Sequence, residues 1–89
     1  MRIISGKYKG RHISPPKNLK VRPTTDIAKE GLFDILNNRI DYEETTVLDM
    51  FGGTGSISLE FASRGCPEIT LIELNSLNYT FIRKTIAEL

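Results

Sequence analysis

Two carboxylates and a glycine cluster are the residues of this sequence best suited to chemistry. Asp49 ends the run Thr45-Thr46-Val47-Leu48-Asp49, and Met50-Phe51-Gly52-Gly53-Thr54-Gly55 follows at once. Glycines at 52, 53 and 55 remove the Cβ atoms that would keep a ligand off the main chain, and a helix opening at Ser56 would offer it unpaired N–H groups. Glu73 closes the next apolar run, Glu68-Ile69-Thr70-Leu71-Ile72-Glu73. No Gly-Lys-Ser/Thr ending follows the glycines, so a triphosphate-gripping loop does not fit. A dinucleotide fingerprint fits only in part, because its third small position is Ser58 and Asp49 would repel a pyrophosphate. An acid, a glycine loop and a second acid at the next strand end suit a ligand with a cationic amino-acid head and a ribose; S-adenosylmethionine has both. In that reading Asp49 faces the methionine end, directly or through water. Gly53 and Gly55 let the backbone lie against the ligand, and Glu73 accepts hydrogen bonds from the two ribose hydroxyls. The plainer alternative is a tight turn followed by a solvated strand-end acid.

These residues need a strand ending at Asp49, a turn, a helix, and a second strand ending beside the first. The β-branched run at 45–49 reads as a buried strand. A helix is expected from about Ser56 to Arg64, with Ile57 and Phe61 one turn apart, Leu59 and Ala62 beside them, and Gly65 capping its end. Residues 68–73 form the second strand. Asn75 or Ser76 then caps a helix carrying Leu77, Phe81, Ile82, Ile86 and Leu89 on one face. Upstream, Thr24, Thr25 and Asp26 are candidate N-caps for a helix to about Asn38, with Ile27, Ala28, Leu32, Ile35 and Leu36 at helical spacing. An acidic linker, Asp41-Tyr42-Glu43-Glu44, follows it. Strand, glycine turn, helix, strand, helix is the opening of a Rossmann-like α/β sheet, here assigned to residues 24–89.

Residues 1–23 differ in character. Arg2-Ile3-Ile4-Ser5 and Arg11-His12-Ile13-Ser14 are strand-like pieces joined by Gly6-Lys7-Tyr8-Lys9-Gly10, which predicts a β-hairpin arm with a basic tip. Pro15-Pro16 end it, and an extended basic linker runs to Arg22-Pro23. Residues 1–25 hold Arg2, Lys7, Lys9, Arg11, Lys17, Lys20 and Arg22 with no acid, a charge of +7 against −6 for the remainder. Such asymmetry suits an arm for a polyanion joined to a body with another task, with a solvated basic face as the alternative.

The chain of 89 residues, 39% hydrophobic and 26% charged, has the composition of one small globular domain or part of one. Cys66 has no partner thiol and no histidine at ligand spacing, which excludes a disulfide scaffold and a zinc site. Met1-Arg2-Ile3-Ile4-Ser5-Gly6-Lys7 turns polar before any leader core forms, and no apolar run is long enough to cross a bilayer. No membrane or metal is expected, and the cytoplasm is the expected compartment.

A more specific resemblance rests on Arg2 through Arg11, on Lys20-Val21-Arg22-Pro23-Thr24-Thr25-Asp26 leading into Glu30-Gly31-Leu32-Phe33-Asp34-Ile35-Leu36, and on Val47 through Gly55. Together, in this order, these segments resemble the bacterial 16S ribosomal RNA guanine-N2 methyltransferase family over nearly the whole chain. The basic opening and the Arg-Pro-Thr helix start are the most telling, because many methyltransferases share the glycine loop. The resemblance implies that Asp49, Phe51, Gly53, Gly55 and Glu73 surround S-adenosylmethionine. It places Arg22, Pro23 and Thr24 near the active-site mouth; with Lys7, Lys9 and Arg11 they are the expected contacts to 16S ribosomal RNA or the small ribosomal subunit. It also implies in-line transfer of the sulfonium methyl to the exocyclic amine of an unstacked guanine. Phe51 stands where many other methyltransferases have the first glycine of the loop. Family members carry an Asp/Asn-Pro-Pro-Tyr/Phe segment after a later strand, which holds the target amine. None of Pro15, Pro16, Pro23 and Pro67 precedes an aromatic residue, so the chain resembles the N-terminal half of such an enzyme. No catalytic residue is assigned within it. It is expected to be inactive alone, with the coding sequence continuing beyond Leu89.

A non-catalytic RNA-binding module that keeps the basic hairpin is the first alternative. A fragment of an NAD-dependent oxidoreductase is the second, opposed by Asp49 and Ser58. His12 reads as a hairpin surface residue or an RNA contact, Tyr8 as an exposed turn residue able to stack on a base, and Phe33 and Phe81 as core.

Overall fold

The computed structural model describes residues 1–19 and 21–89; Lys20, counted in the basic arm and in the family resemblance, lies outside them. The elements are α1 (Asp26–Leu36), a 3-10 turn (Tyr42–Glu44), β1 (Thr46–Asp49), α2 (Ser56–Ser63), β2 (Glu68–Leu71) and α3 (Ser76–Glu88). β1 and β2 pair in parallel from Thr46↔Glu68 to Asp49↔Leu71, and α2 is the crossover such a pair requires. Two further main-chain bonds, Ile72 N to Asp49 O (2.8 Å) and Gly52 N to Ile72 O (3.0 Å), carry the pairing past the strand ends. This α/β arrangement agrees with the opening of a Rossmann-like sheet.

The helix ends follow the expected chemistry. Thr25 caps α1 by accepting from Ala28 N (3.2 Å), and Asn75 caps α3 by accepting from Leu77 N and Asn78 N. Gly65 takes a positive φ of 108° just beyond α2.

Within this chain the buried positions are mostly not the apolar ones that the spacing marks. In α1 the apolar positions Ile27, Leu32 and Ile35 are exposed, Ile27 at 86%, and the buried residues are Lys29 and Phe33. Phe33 meets Phe61 edge-on at 4.8 Å and lies under the Arg64 guanidinium at 4.5 Å. In α2 the buried set is Ser56, Ser58, Leu59, Glu60 and Ser63, whereas Ala62 is exposed. In α3 it is Asn78, Ile82 and Thr85, with Leu77 and Ile86 half-exposed.

The face that α1 and α2 bury against each other holds a charge cluster. Lys29 Nζ lies 3.4 Å from Glu60 Oε1, with the two side chains 1% and 0% exposed, and Arg64 Nε donates to Glu60 Oε2 at 2.8 Å. Burying these charges is tolerable because each is paired and hydrogen-bonded. Lys29 also donates to Arg2 O (2.6 Å) and Ser56 Oγ (3.1 Å).

The predicted hairpin is present as a short antiparallel pairing: Arg2 and His12 form the bridge, and Ile13 N to Met1 O (2.9 Å), Ile3 N to Arg11 O (3.0 Å) and Gly10 N to Ile3 O (2.9 Å) flank it. Beyond it the chain docks on α2: Ile4 N and Ser5 N donate to Glu60, Lys7 N to Ser63 O (2.7 Å), and Tyr8 N to Ser63 Oγ (3.0 Å). Gly6, at φ 90°, is pressed so close that a Cβ there would stand 2.0 Å from Ser63 O.

Candidate functional site

The parallel pairing brings Asp49 and Glu73 to one edge of the sheet, with the glycine loop between them. Asp49 Oδ2 accepts from Ser58 Oγ at 2.7 Å and Oδ1 from Phe51 N at 3.3 Å. Glu73 Oε1 accepts from Gly53 N at 2.7 Å, and Oε2 from Asn75 N (3.0 Å) and Asn78 Nδ2 (3.3 Å). The main-chain donors of Asn75 and Gly53 hold the Glu73 carboxyl below the usual glutamate range, so it is anionic at neutral pH.

The loop geometry explains two of its glycines. Gly53 and Gly55 have φ of 57° and 82°, and a Cβ on Gly53 would meet no atom within 4 Å, so this part of the loop is open.

The donor set fits S-adenosylmethionine. A carboxylate offers about four acceptor positions. Asp49 has two bonds, leaving room for an ammonium group, and Glu73 has three, leaving one position for a ribose hydroxyl. Accepting both hydroxyls would require Asn78 to let go. Phe51 contributes its main-chain N–H to Asp49, while its side chain is 89% exposed.

The expected RNA contacts do not gather at this edge. Lys7 and Tyr8 bond to Ser63, at the C-terminal end of α2, and Arg11 Nη1 donates to Glu88 O at the end of α3. The glycine loop lies at the other end of α2, a helix of eight residues and therefore about 12 Å long. Arg22, Pro23 and Thr24 lead into α1, whose Lys29 bonds Ser56 Oγ just after the loop. Tyr8 has Lys7 Nζ 5.4 Å and Arg11 Cζ 6.0 Å from its ring centre. Its faces are thus engaged by cations of the chain itself. His12 is exposed. Cys66 is free and buried, and burial pushes its thiol pKa up.

Lys29, Glu60, Ser63 and Asn78, which support the arm and the loop, escaped the sequence reading. The i, i+4 spacings Lys29/Phe33 and Glu60/Arg64 are the signal that could have found the first two. No group of three metal-capable side chains occurs among the described residues, and no helix there is long and apolar enough to cross a membrane.

A parallel α/β core thus carries an acid, an open glycine loop and a second acid along one edge. The family model described as Conserved hypothetical protein 95 matches residues 1–89, and the chain belongs to that family. Among its curated relatives is ribosomal RNA small subunit methyltransferase D of Escherichia coli K12, 37% identical over 89 residues, all of this chain and 44% of that protein. The protein of the same name from Buchnera aphidicola of Acyrthosiphon pisum is 38% identical over 87 residues, 98% of this chain and 44% of that one. A solved structure named as the methyltransferase yhhF of Escherichia coli superposes with a TM-score of 0.83 at 32% identity, covering 99% of this chain and 46% of that one. The chain thus spans less than half the length of these relatives, which place it in a family of ribosomal RNA methyltransferases.

Proposed function

We propose that this chain is the cofactor-binding part of an enzyme that methylates the exocyclic amine of a guanine in 16S ribosomal RNA, with S-adenosylmethionine as donor. Residues 1–23 serve the RNA and residues 24–89 begin the cofactor domain of a cytoplasmic protein. The observation that carries the reading is the meeting of Asp49, the open loop at Gly53 and Glu73 in one hydrogen-bonded corner. The names of the relatives support methyl transfer and the ribosomal RNA substrate.

When bound, S-adenosylmethionine supplies an electrophilic methyl group. Asp49 offers its remaining acceptor positions to the ammonium end, and Glu73 offers its free position to a ribose hydroxyl. In this reading Arg22 meets phosphates around the target base, while Lys7 and Lys9 grip phosphates at the far end of α2.

The test uses the full-length protein with 16S ribosomal RNA and methyl-labelled S-adenosylmethionine. Label is expected in N2-methylguanine on nucleoside analysis. Glu73→Ala is expected to weaken the cofactor by about 1.5–3 kcal/mol, the range for hydrogen bonds to a charged group. Absence of transfer to RNA defeats the activity, and unchanged calorimetric affinity defeats the role of Glu73.

A further inference from the structure

We propose that Ser58 is a positioning residue, which fixes the Asp49 carboxylate for the cationic end of the ligand. This rests on the cofactor reading above and adds a residue to it.

Ser58 sits in the first turn of α2 and is 5% exposed. A buried serine or threonine within a helix commonly turns its hydroxyl back onto the carbonyl of residue i−4. Thr85 does so in α3, bonding Phe81 O at 2.9 Å. Ser58 instead reaches across to the end of β1 and donates to Asp49 Oδ2 at 2.7 Å. That is the short bond of this carboxylate, since its other oxygen receives only the 3.3 Å contact from Phe51 N. Without Ser58, Asp49 would keep one long bond to its own turn, and its carboxylate plane would be free to rotate. The hydroxyl also leaves acceptor positions unused on both oxygens, as a bound ammonium group requires. Ser58 therefore converts a strand-end acid into an acceptor of fixed direction. The adenosine end of the ligand falls to Glu73, which Ser58 does not touch.

This division makes the test selective. S-adenosylhomocysteine carries the amino-acid end, whereas 5′-methylthioadenosine keeps the adenine, ribose and thioether and lacks it. Both are titrated calorimetrically into the full-length protein. Ser58→Ala is expected to weaken S-adenosylhomocysteine about tenfold, the equivalent of one charge-assisted hydrogen bond, and to leave methylthioadenosine unchanged. Ser58→Thr should restore the wild-type ratio. It keeps the hydroxyl donor. In an Asp49→Asn background, Ser58→Ala should add nothing. Thermal melts accompany each variant, and Ser58→Cys, close in size and a weaker donor, should shift the ratio in the same direction if the alanine variant is unstable.

A wild-type protein that binds neither ligand defeats the cofactor reading itself. A wild-type protein that binds both, with an unchanged ratio in the alanine and cysteine variants, overturns the role of Ser58 alone. Equal weakening of the two ligands also overturns it, since that is the mark of general loosening of the loop.

Discussion

Replacing Glu60 by glutamine changes almost no volume but removes the charge on which three segments converge. Oε1 accepts from Ile4 N at 2.9 Å and faces Lys29, while Oε2 accepts from Ser5 N at 3.1 Å and Arg64 Nε at 2.8 Å. Glutamine has a single acceptor oxygen, so its NH₂ must confront one pair of these donors. Lys29, 1% exposed, keeps only Arg2 O and Ser56 Oγ and loses its counter-ion. An uncompensated buried charge costs about 3–5 kcal/mol. Each stranded N–H adds about 1–3 kcal/mol unless it reaches water. Ile4 and Ser5 can undock and do so, which leaves a net loss of about 3–5 kcal/mol. For a domain of roughly 150–250 residues that lowers the melting temperature by about 6–20 °C. Calorimetry and urea unfolding of the full-length protein read the loss, and hydrogen exchange at the Ile4 and Ser5 amides locates it. The exposed pair Arg2–Asp26, at 3.8 Å, is the contrast: Asp26→Asn should cost about 1 kcal/mol or less. A Glu60→Gln protein that melts with the Asp26→Asn protein, or keeps both amides protected, would refute the account of a buried electrostatic dock.

Other outcomes follow from the same contacts. Gly6→Ala should destabilise by at least about 2 kcal/mol in urea, since it adds the strain of a positive φ to a clash with Ser63 O. Glu73 has a depressed carboxyl pKa in the fold, so its share of stability is present above the ordinary glutamate value and is lost as the pH falls through the lower folded value. An NMR titration should therefore place the Gly53 amide transition below the ordinary glutamate range, and a transition at or above that range would count against the bond. Lys7→Ala with Lys9→Ala should lower the salt slope of RNA binding by about two and affect different RNA sequences alike. Fluorescence anisotropy over a salt series reads that slope. Arg11 is left in place because it also ties down the end of α3.

The elements were readable because glycine, proline and β-branched residues punctuate this chain sharply. Asp49 and Glu73 lie near each other because two parallel strands joined by a crossover end side by side, although β2 stops at Leu71, two residues before Glu73. The buried ion pair was not readable. Periodicity marks Ile27, Leu32 and Ile35, which are exposed in a chain spanning less than half the length of its relatives, and it has no means of knowing that Lys29 finds a carboxylate 31 positions along at Glu60. The pairing of residues 1–3 with 11–13 was readable, but alternation does not reveal the acceptors on α2 that take the donors of residues 4–8. A run of basic residues likewise gives its charge but not the end of the helix on which it settles.

The docking of residues 4–8 has a consequence in time. Their partners on α2 lie 55 to 58 positions further along the chain. At roughly 5–20 residues per second, a growing chain incorporates Ser5 about 3–12 seconds before Ser63 is made. Closing a loop is faster than that by several orders of magnitude. Residues 4–8 therefore wait for their acceptors, and the pace of translation rather than diffusion times their attachment.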